Sequence, residues 1–161
     1  MLVSPVAFNS DDAHLLQQFW RAWSTIDVRD RLALALRYFS SSCDKVELAD
    51  RLIDLWIGLE TLFSDQSQEL GYRLALRISR YLGTDAPKRE EISKNIKSSY
   101  DCRGYLVHGR RGRKRRKRCE DDLQVTVHQT GEYLADSLKS CLTSQSLPDL
   151  DDLDKQIVRG S

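Results

Sequence analysis

The sequence predicts an all-α protein, a helical bundle of five to six helices. Apolar residues recur at helical spacing in successive segments along the chain. No segment shows sustained strand alternation or a hairpin turn, and the 161 residues include only 8 Gly and 3 Pro. Helices that each carry one apolar face bury it most simply against one another, as they do in a bundle.

The first two predicted helices are amphipathic. Segment 11–23 follows Ser10, a candidate N-cap, and places its leucines and aromatic residues on one face. Segment 28–40 repeats this pattern, with Asp27 and Asp30 at the spacing of a capping pair ahead of its apolar residues. Both segments therefore supply one face to a shared core.

The third and fourth predicted helices form the middle of the chain. Segment 45–63 is the most apolar part of the sequence, and Asp44 and Glu47 stand at capping-box spacing at its start. We expect it to be central, because a helix that is apolar on most of its circumference is a buried one. Segment 67–82 carries an apolar residue at every fourth position, and Gly83 follows as a stop at the C′ position.

Two further helices complete the predicted bundle. Segment 87–108 begins at Pro87, which is tolerated in a first helical turn, and ends before Gly109. Segment 122–143 has apolar residues at helical steps, although residues 124–127 alternate briefly like a strand. We predict a helix there.

Length and composition predict one domain over residues 1–158. The chain fits a single ordinary domain, and its 40% hydrophobic residues supply the side chains for a core. Residues 159–161 are interpreted as a cloning remnant. No apolar stretch approaches the roughly 18 residues of a membrane span, so we expect no membrane contact.

The basic residues are concentrated in one run, residues 110–118. This run has Lys or Arg at eight of nine positions, and without these eight, 17 basic residues face 24 acidic ones, a balance of −7. Lys and Arg neutralise phosphates and release counterions, so the run is a candidate RNA-binding segment. A solvated loop or a localisation signal would have the same composition. The cationic residues are Arg110, Arg111, Arg113, Lys114, Arg115, Arg116, Lys117 and Arg118.

The four cysteines are predicted to be free thiols in a cytoplasmic protein. Cys43, Cys102, Cys119 and Cys141 form no CxxC pair and have no His at a zinc-ligand spacing, so we expect no metal site and no cofactor. The N-terminus has neither the basic region nor the long apolar region of a secretory signal. Free thiols are the rule outside oxidising compartments.

The fifth predicted helix carries a charged residue on its apolar stripe. Arg103 stands between Tyr100 and Val107, where a guanidinium is costly unless it is paired or opens onto a cleft. His108, at the predicted helix end, is a candidate general acid or base. Two structural interpretations stay open: Arg103 pairs with an acidic residue of a neighbouring helix, such as Glu60, and His108 only caps its helix.

Three stretches in the middle of the chain resemble the Apea-like branch of the HEPN domains. They are DRLIDLWIGLETLF at Asp50–Phe63, ELGYRLALRISRYLG at Glu69–Gly83 and REEISKNIKSSYDCRGYLVHG at Arg89–Gly109. The resemblance covers roughly residues 28–110. It implies a small all-α bundle that typically dimerises and often forms the C-terminal part of a longer protein.

The signature of that family is an Arg followed by four to six residues and then a His, which Arg103 and His108 match with four residues between them. The resemblance therefore implies a metal-independent endoribonuclease in a defence or toxin system. Catalytic members commonly carry a polar residue directly after the Arg, whereas this chain has Gly104. A non-catalytic module for dimerisation and for nucleic-acid or protein binding thus stays open.

Cleavage of RNA without a metal needs a base for the ribose 2′-OH, a cation to offset charge on the phosphorane, and an acid for the leaving 5′-oxygen. The resemblance assigns the first role to His108 and the second to Arg103. The acid would be His108 of the partner subunit, across a two-fold axis. The expected products are a 2′,3′-cyclic phosphate and a 5′-OH.

Overall fold

A computed structural model describes residues 13–14, 17, 20–21, 29–65, 71–108, 117 and 119–159. Its six complete helices are α1 (Arg29–Asp44), α2 (Leu48–Phe63), α3 (Gly71–Leu82), α4 (Ala86–His108), α5 (Leu123–Ser144) and α6 (Leu150–Arg159). Residues 13–14, 17, 20–21, 117 and 119–121 are also helical. No strand occurs in these residues, so the all-α prediction is confirmed, with slightly more helical segments than the predicted five to six.

Several predicted details lie outside the described residues. These are the caps Ser10 and Asp27, the start of the fourth predicted helix at 67–70, the stop at Gly109, and residues 160–161 of the predicted cloning remnant.

Helix α2 is the central element, as its apolar composition predicted. It packs against α1, α4 and α5, while α3 packs against α4 and α6. The side chains of Trp56, Leu59 and Phe63 are fully buried. Residues 124–127, which alternate like a strand in sequence, lie in the first turns of α5, where Val127 joins the core.

A chain of buried hydrogen bonds joins α2, α4 and α5. Trp56 Nε1 donates to Ser99 Oγ at 2.9 Å, Ser99 Oγ lies 2.7 Å from Thr130 Oγ1, and Thr130 Oγ1 donates to the Thr126 carbonyl at 2.7 Å. Since buried polar groups are costly without partners, these bonds specify how the three helices pack together.

Two predicted helix boundaries are corrected or explained by the structure. Asp44 ends α1, and Glu47 is the N-cap of α2 without a side-chain hydrogen bond, so the predicted capping box is wrong. The stop at Gly83 is confirmed, because α3 ends at Leu82. The residue after the helix is a glycine because there is no room for a side chain: a Cβ on Gly83 would lie 2.5 Å from Arg89 Cγ and 2.6 Å from the Ser79 carbonyl oxygen.

Helix α6 has no counterpart in the sequence prediction. Asp149 caps it, since its Oδ1 accepts from the Asp152 N–H at 3.0 Å, and Leu153 reaches the core. Arg159, interpreted above as part of a cloning remnant, is the last residue of this helix.

Helix α6 is joined to α3 by a buried ion pair. The Arg77 guanidinium is fully buried and binds Asp154 through two bonds of 2.9 Å, Nε to Oδ1 and Nη2 to Oδ2. Arg77 Nη1 also donates to the Phe63 carbonyl at 2.8 Å, at the end of α2. Arg73 adds a bond of 2.6 Å to the same carboxylate. The hydrogen bonds from Arg77 lower the pKa of Asp154 to about 2.

Replacing Asp154 by Asn is expected to lower the free energy of unfolding by about 3 kcal/mol, because the buried Arg77 charge loses its two-bond contact with this carboxylate and Asp65, at 3.4 Å, compensates it less well. The folded-state pKa of Asp154 is lowered, so its stabilisation is present above the unfolded value and is lost as the pH falls through about 4 to about 2. Urea unfolding at a series of pH values measures both effects. Asp151→Asn, an exposed carboxylate on the same helix, is the control. Equal stability of the two variants would contradict this role for the ion pair.

Candidate functional site

Arg103 pairs with Glu60 of α2. Its Nη1 lies 3.1 Å from Glu60 Oε1, and its Nη2 donates to Oε2 at 3.4 Å. The two side chains are 24% and 31% exposed, so the pair lies at the edge of the core and still meets solvent. The interpretation of Arg103 as the ion-pair partner of Glu60 is therefore confirmed.

The surroundings of this pair are partly desolvated. Burial raises the pKa of Glu60, and the positive charge of Arg103 opposes that rise. Arg103 Nε is buried, and no hydrogen-bond partner for it lies within the described ranges. The pair therefore holds, at the edge of the bundle, a guanidinium whose Nε donor is buried and unused.

His108 is the last residue of α4 and is exposed. It makes no hydrogen bond or ion pair within the part of the chain that the structure describes. Helix α4 stays α-helical through His108, so the ideal rotation puts His108 about 140° around the axis from Arg103. The structure therefore sets the two residues of the signature on different sides of one helix and does not bring them together within one chain.

The basic run is described at one position. Lys117 is helical and exposed. Arg110, Arg111, Arg113, Lys114, Arg115, Arg116 and Arg118, the other predicted RNA-binding residues, lie outside the described residues.

The prediction of four free thiols is wrong for two of the cysteines. Cys102 of α4 and Cys119 form a disulfide, with their Cα atoms 5.4 Å apart, whereas Cys43 and Cys141 are free. Sequence spacing cannot show this pairing, because the two residues are 17 positions apart and the fold alone brings them together. The bond joins the residue before Arg103 to the residue after the basic run.

A polar pocket of about 370 Å³ opens between α4 and α5, and we call it the α4–α5 pocket. The disulfide forms part of its wall, beside Asp101 and Tyr105 of α4 and Gln129 of α5. No sequence signal marks this pocket, because its polar residues come from separate segments that only the fold brings together.

The described residues contain no group of three or more His, Cys, Asp or Glu that could hold a metal ion. No helix in these ranges is long and apolar enough to cross a membrane.

Comparisons with protein-family models, with curated proteins and with solved structures found no match for this chain.

Arg103→Ala is expected to lower the free energy of unfolding by about 2 kcal/mol at about pH 7, because ionised Glu60 is left partly buried without its cation. Loss of Arg103 raises the pKa of Glu60 further. When the folded-state pKa of a carboxyl is raised, the protein loses stability as the pH rises through that pKa. The stability lost through Arg103→Ala should therefore be smaller at about pH 4 than at about pH 7. Urea unfolding at both pH values is the measurement, and Arg103→Ala combined with Glu60→Gln should recover part of the loss. An equal loss at both pH values would contradict this account.

Replacing both Cys102 and Cys119 by Ala is expected to lower the free energy of unfolding by about 3 kcal/mol, because the bond closes a loop whose ends are 17 positions apart. Cys43→Ala, at an exposed free thiol, should leave stability unchanged. Alkylation of the unfolded protein, followed by mass spectrometry, should label Cys43 and Cys141 before reduction and all four cysteines after it. Four labelled cysteines before reduction would contradict the disulfide.

Proposed function

We propose that this protein is a metal-independent endoribonuclease, which cleaves RNA through its own ribose 2′-OH and leaves a 2′,3′-cyclic phosphate. The observation that carries the proposal is His108. Its imidazole is exposed and has no partner in the described residues, and it ends the helix that also holds Arg103. An imidazole can accept the 2′-OH proton near neutral pH without a metal.

Arg103 would offset the charge that builds up on the phosphorane. A guanidinium has five N–H donors, and Glu60 engages its two terminal nitrogens with one contact each. Further N–H groups of those nitrogens are therefore available to a phosphate oxygen. Glu60 would act as a positioning residue, since it holds the guanidinium in one orientation.

The proposed site needs a second copy of the chain. Arg103 and His108 lie on different sides of α4, so one phosphate cannot readily contact both within one protomer. In a homodimer with a two-fold axis, His108 would be the base and His108 of the partner subunit the acid for the leaving 5′-oxygen. The resemblance to the Apea-like HEPN domains supports this arrangement.

The basic run would bind the RNA backbone. Residues 110–118 begin two positions after His108, so their charges are close to it along the chain. They would bind phosphates without recognising the base sequence, and the binding would weaken steeply with salt.

In this proposal the enzyme acts on cytoplasmic RNA in a defence or toxin role. A lasting Cys102–Cys119 bond is unusual in that compartment, so there it would depend on oxidising conditions.

A second candidate is a non-catalytic module that dimerises and binds nucleic acid or protein. The Arg103–Glu60 pair favours it, because the pair gives Arg103 a structural role that needs no substrate. Gly104, buried in α4 directly after Arg103, takes the position where catalytic members of the family commonly have a polar residue.

His108→Ala is expected to lower RNA cleavage by a factor on the order of 10² or more, because it removes both the base and the acid of the dimer. The assay uses single-stranded RNA in excess EDTA, with analysis of the new 3′ ends and sedimentation to establish the dimer. His128→Ala is the matched control, since His128 is also an exposed histidine of a helix. Helicity and melting should be unchanged in both variants.

Three outcomes would contradict the proposed endoribonuclease activity. Cleavage that survives His108→Ala, or that is lost with EDTA, would point to another site or a contaminating nuclease. RNA binding by the wild-type protein without any cleavage would favour the non-catalytic module.

A further inference from the structure

The α4–α5 pocket lies on the side of α4 that also carries His108. Tyr105 is about 60° around the helix axis from His108 and about 4.5 Å along it, and Asp101 is only about 20° away around the axis. Both residues line the pocket. A molecule in this pocket would therefore lie within about one or two helical turns of the His108 side chain.

The pocket offers hydrogen-bonding groups that are not used within the described part of the fold. Asp101, Tyr105 and the half-buried Gln129 have no side-chain partner there. Asn95, in contrast, is held in place, since its Nδ2 donates to the Tyr133 hydroxyl at 2.9 Å. A ligand that presents several donors and acceptors at fixed spacing would satisfy these groups.

The charge of the pocket narrows the class of ligand. Among the described residues, its lining includes two carboxylates, Asp101 and Asp122, and no Lys, Arg or His. The Asp101 carboxylate would repel a phosphate, whereas it would attract a neutral group with N–H donors. Two tyrosine rings, from Tyr105 and Tyr133, add flat apolar surface to the wall.

We infer that the α4–α5 pocket binds one unstacked guanine base of single-stranded RNA. This inference rests on the proposed function, whose substrate preference it specifies. Guanine presents the two adjacent donors N1–H and N2–H₂ on its Watson–Crick edge, and the two oxygens of one carboxylate can accept both. Asp101 is the residue for this contact, and Tyr105 is the residue for contact with the face of the base.

The other bases fit these groups less well. Adenine and cytosine each present one exocyclic amine beside a ring nitrogen that only accepts, which would face a carboxylate oxygen unfavourably. Uracil presents a single N3–H between two carbonyl acceptors. The pocket volume of about 370 Å³ suits one nucleoside. Because His108 lies beyond the pocket on the same side of α4, the phosphate that follows the bound guanine would extend toward it. The enzyme should therefore cut on the 3′ side of guanosine.

The test measures binding of nucleotides apart from cleavage. His108→Ala protein, which should not cut, is titrated separately with the 3′-monophosphates of guanosine, adenosine, cytidine and uridine by calorimetry. Guanosine 3′-monophosphate should bind at least about tenfold more tightly than the other three. Asp101→Asn should reduce the preference for guanosine 3′-monophosphate by about tenfold. Tyr105→Leu should weaken the binding of all four nucleotides by a similar factor.

Asp121→Asn is the matched control, because Asp121 is an exposed carboxylate outside the pocket lining. It should keep the guanine preference, and a melting scan establishes that each variant is folded. Equal binding of the four nucleotides, no binding of any, or a preference that survives Asp101→Asn would each overturn the pocket inference. The proposed function fails separately: wild-type protein that binds guanosine 3′-monophosphate selectively but cuts no RNA would retain the pocket and exclude the nuclease.

Discussion

The buried guanidinium of Arg77 is the constraint on which much of this bundle depends. A charge removed from water must be matched by partners on every side, and here they come from three helices. Asp154 supplies the counter-charge from α6, Phe63 supplies a carbonyl at the end of α2, and Arg77 itself belongs to α3. Because α3 also packs along α4, this one side chain helps to set the helix that carries both residues of the signature.

Helix α4 separates two environments on its two sides. On one side, Arg103 is held by Glu60 at the margin of the core, where partial burial makes the exact pairing of charges matter. On the other side, the α4–α5 pocket is polar, and its described lining includes the carboxylates of Asp101 and Asp122. His108 lies at the end of this second side. The arrangement keeps Arg103 and the α4–α5 pocket apart on one rigid element, so that under the proposed function a strand of RNA would have to bridge them or meet them on two protomers.

The sequence predicted what depends on local periodicity. Helices α1 to α5 follow from apolar residues at helical spacing, and the central place of α2 follows from its nearly continuous apolar surface. The contacts that define the site depend on distant segments. Arg77 and Asp154 are 77 residues apart, and the partner of Cys102 could not be chosen among three other cysteines by spacing. Glu60 was recognised only as one candidate for Arg103, since the rotation of one helix against another decides which carboxylate is within reach.

The hydrogen-bond chain from Trp56 through Ser99 to Thr130 also has a consequence for molecular recognition. Thr130 lines the α4–α5 pocket, so one wall residue of that pocket is linked through hydrogen bonds to the fully buried indole of Trp56 in α2. A pocket wall that is held in place before binding is preorganised, so little binding free energy is lost in ordering the protein when a ligand binds. Selectivity in such a pocket comes from the mismatch of a rigid shape with the wrong guest, and it does not require the protein to close around the right one.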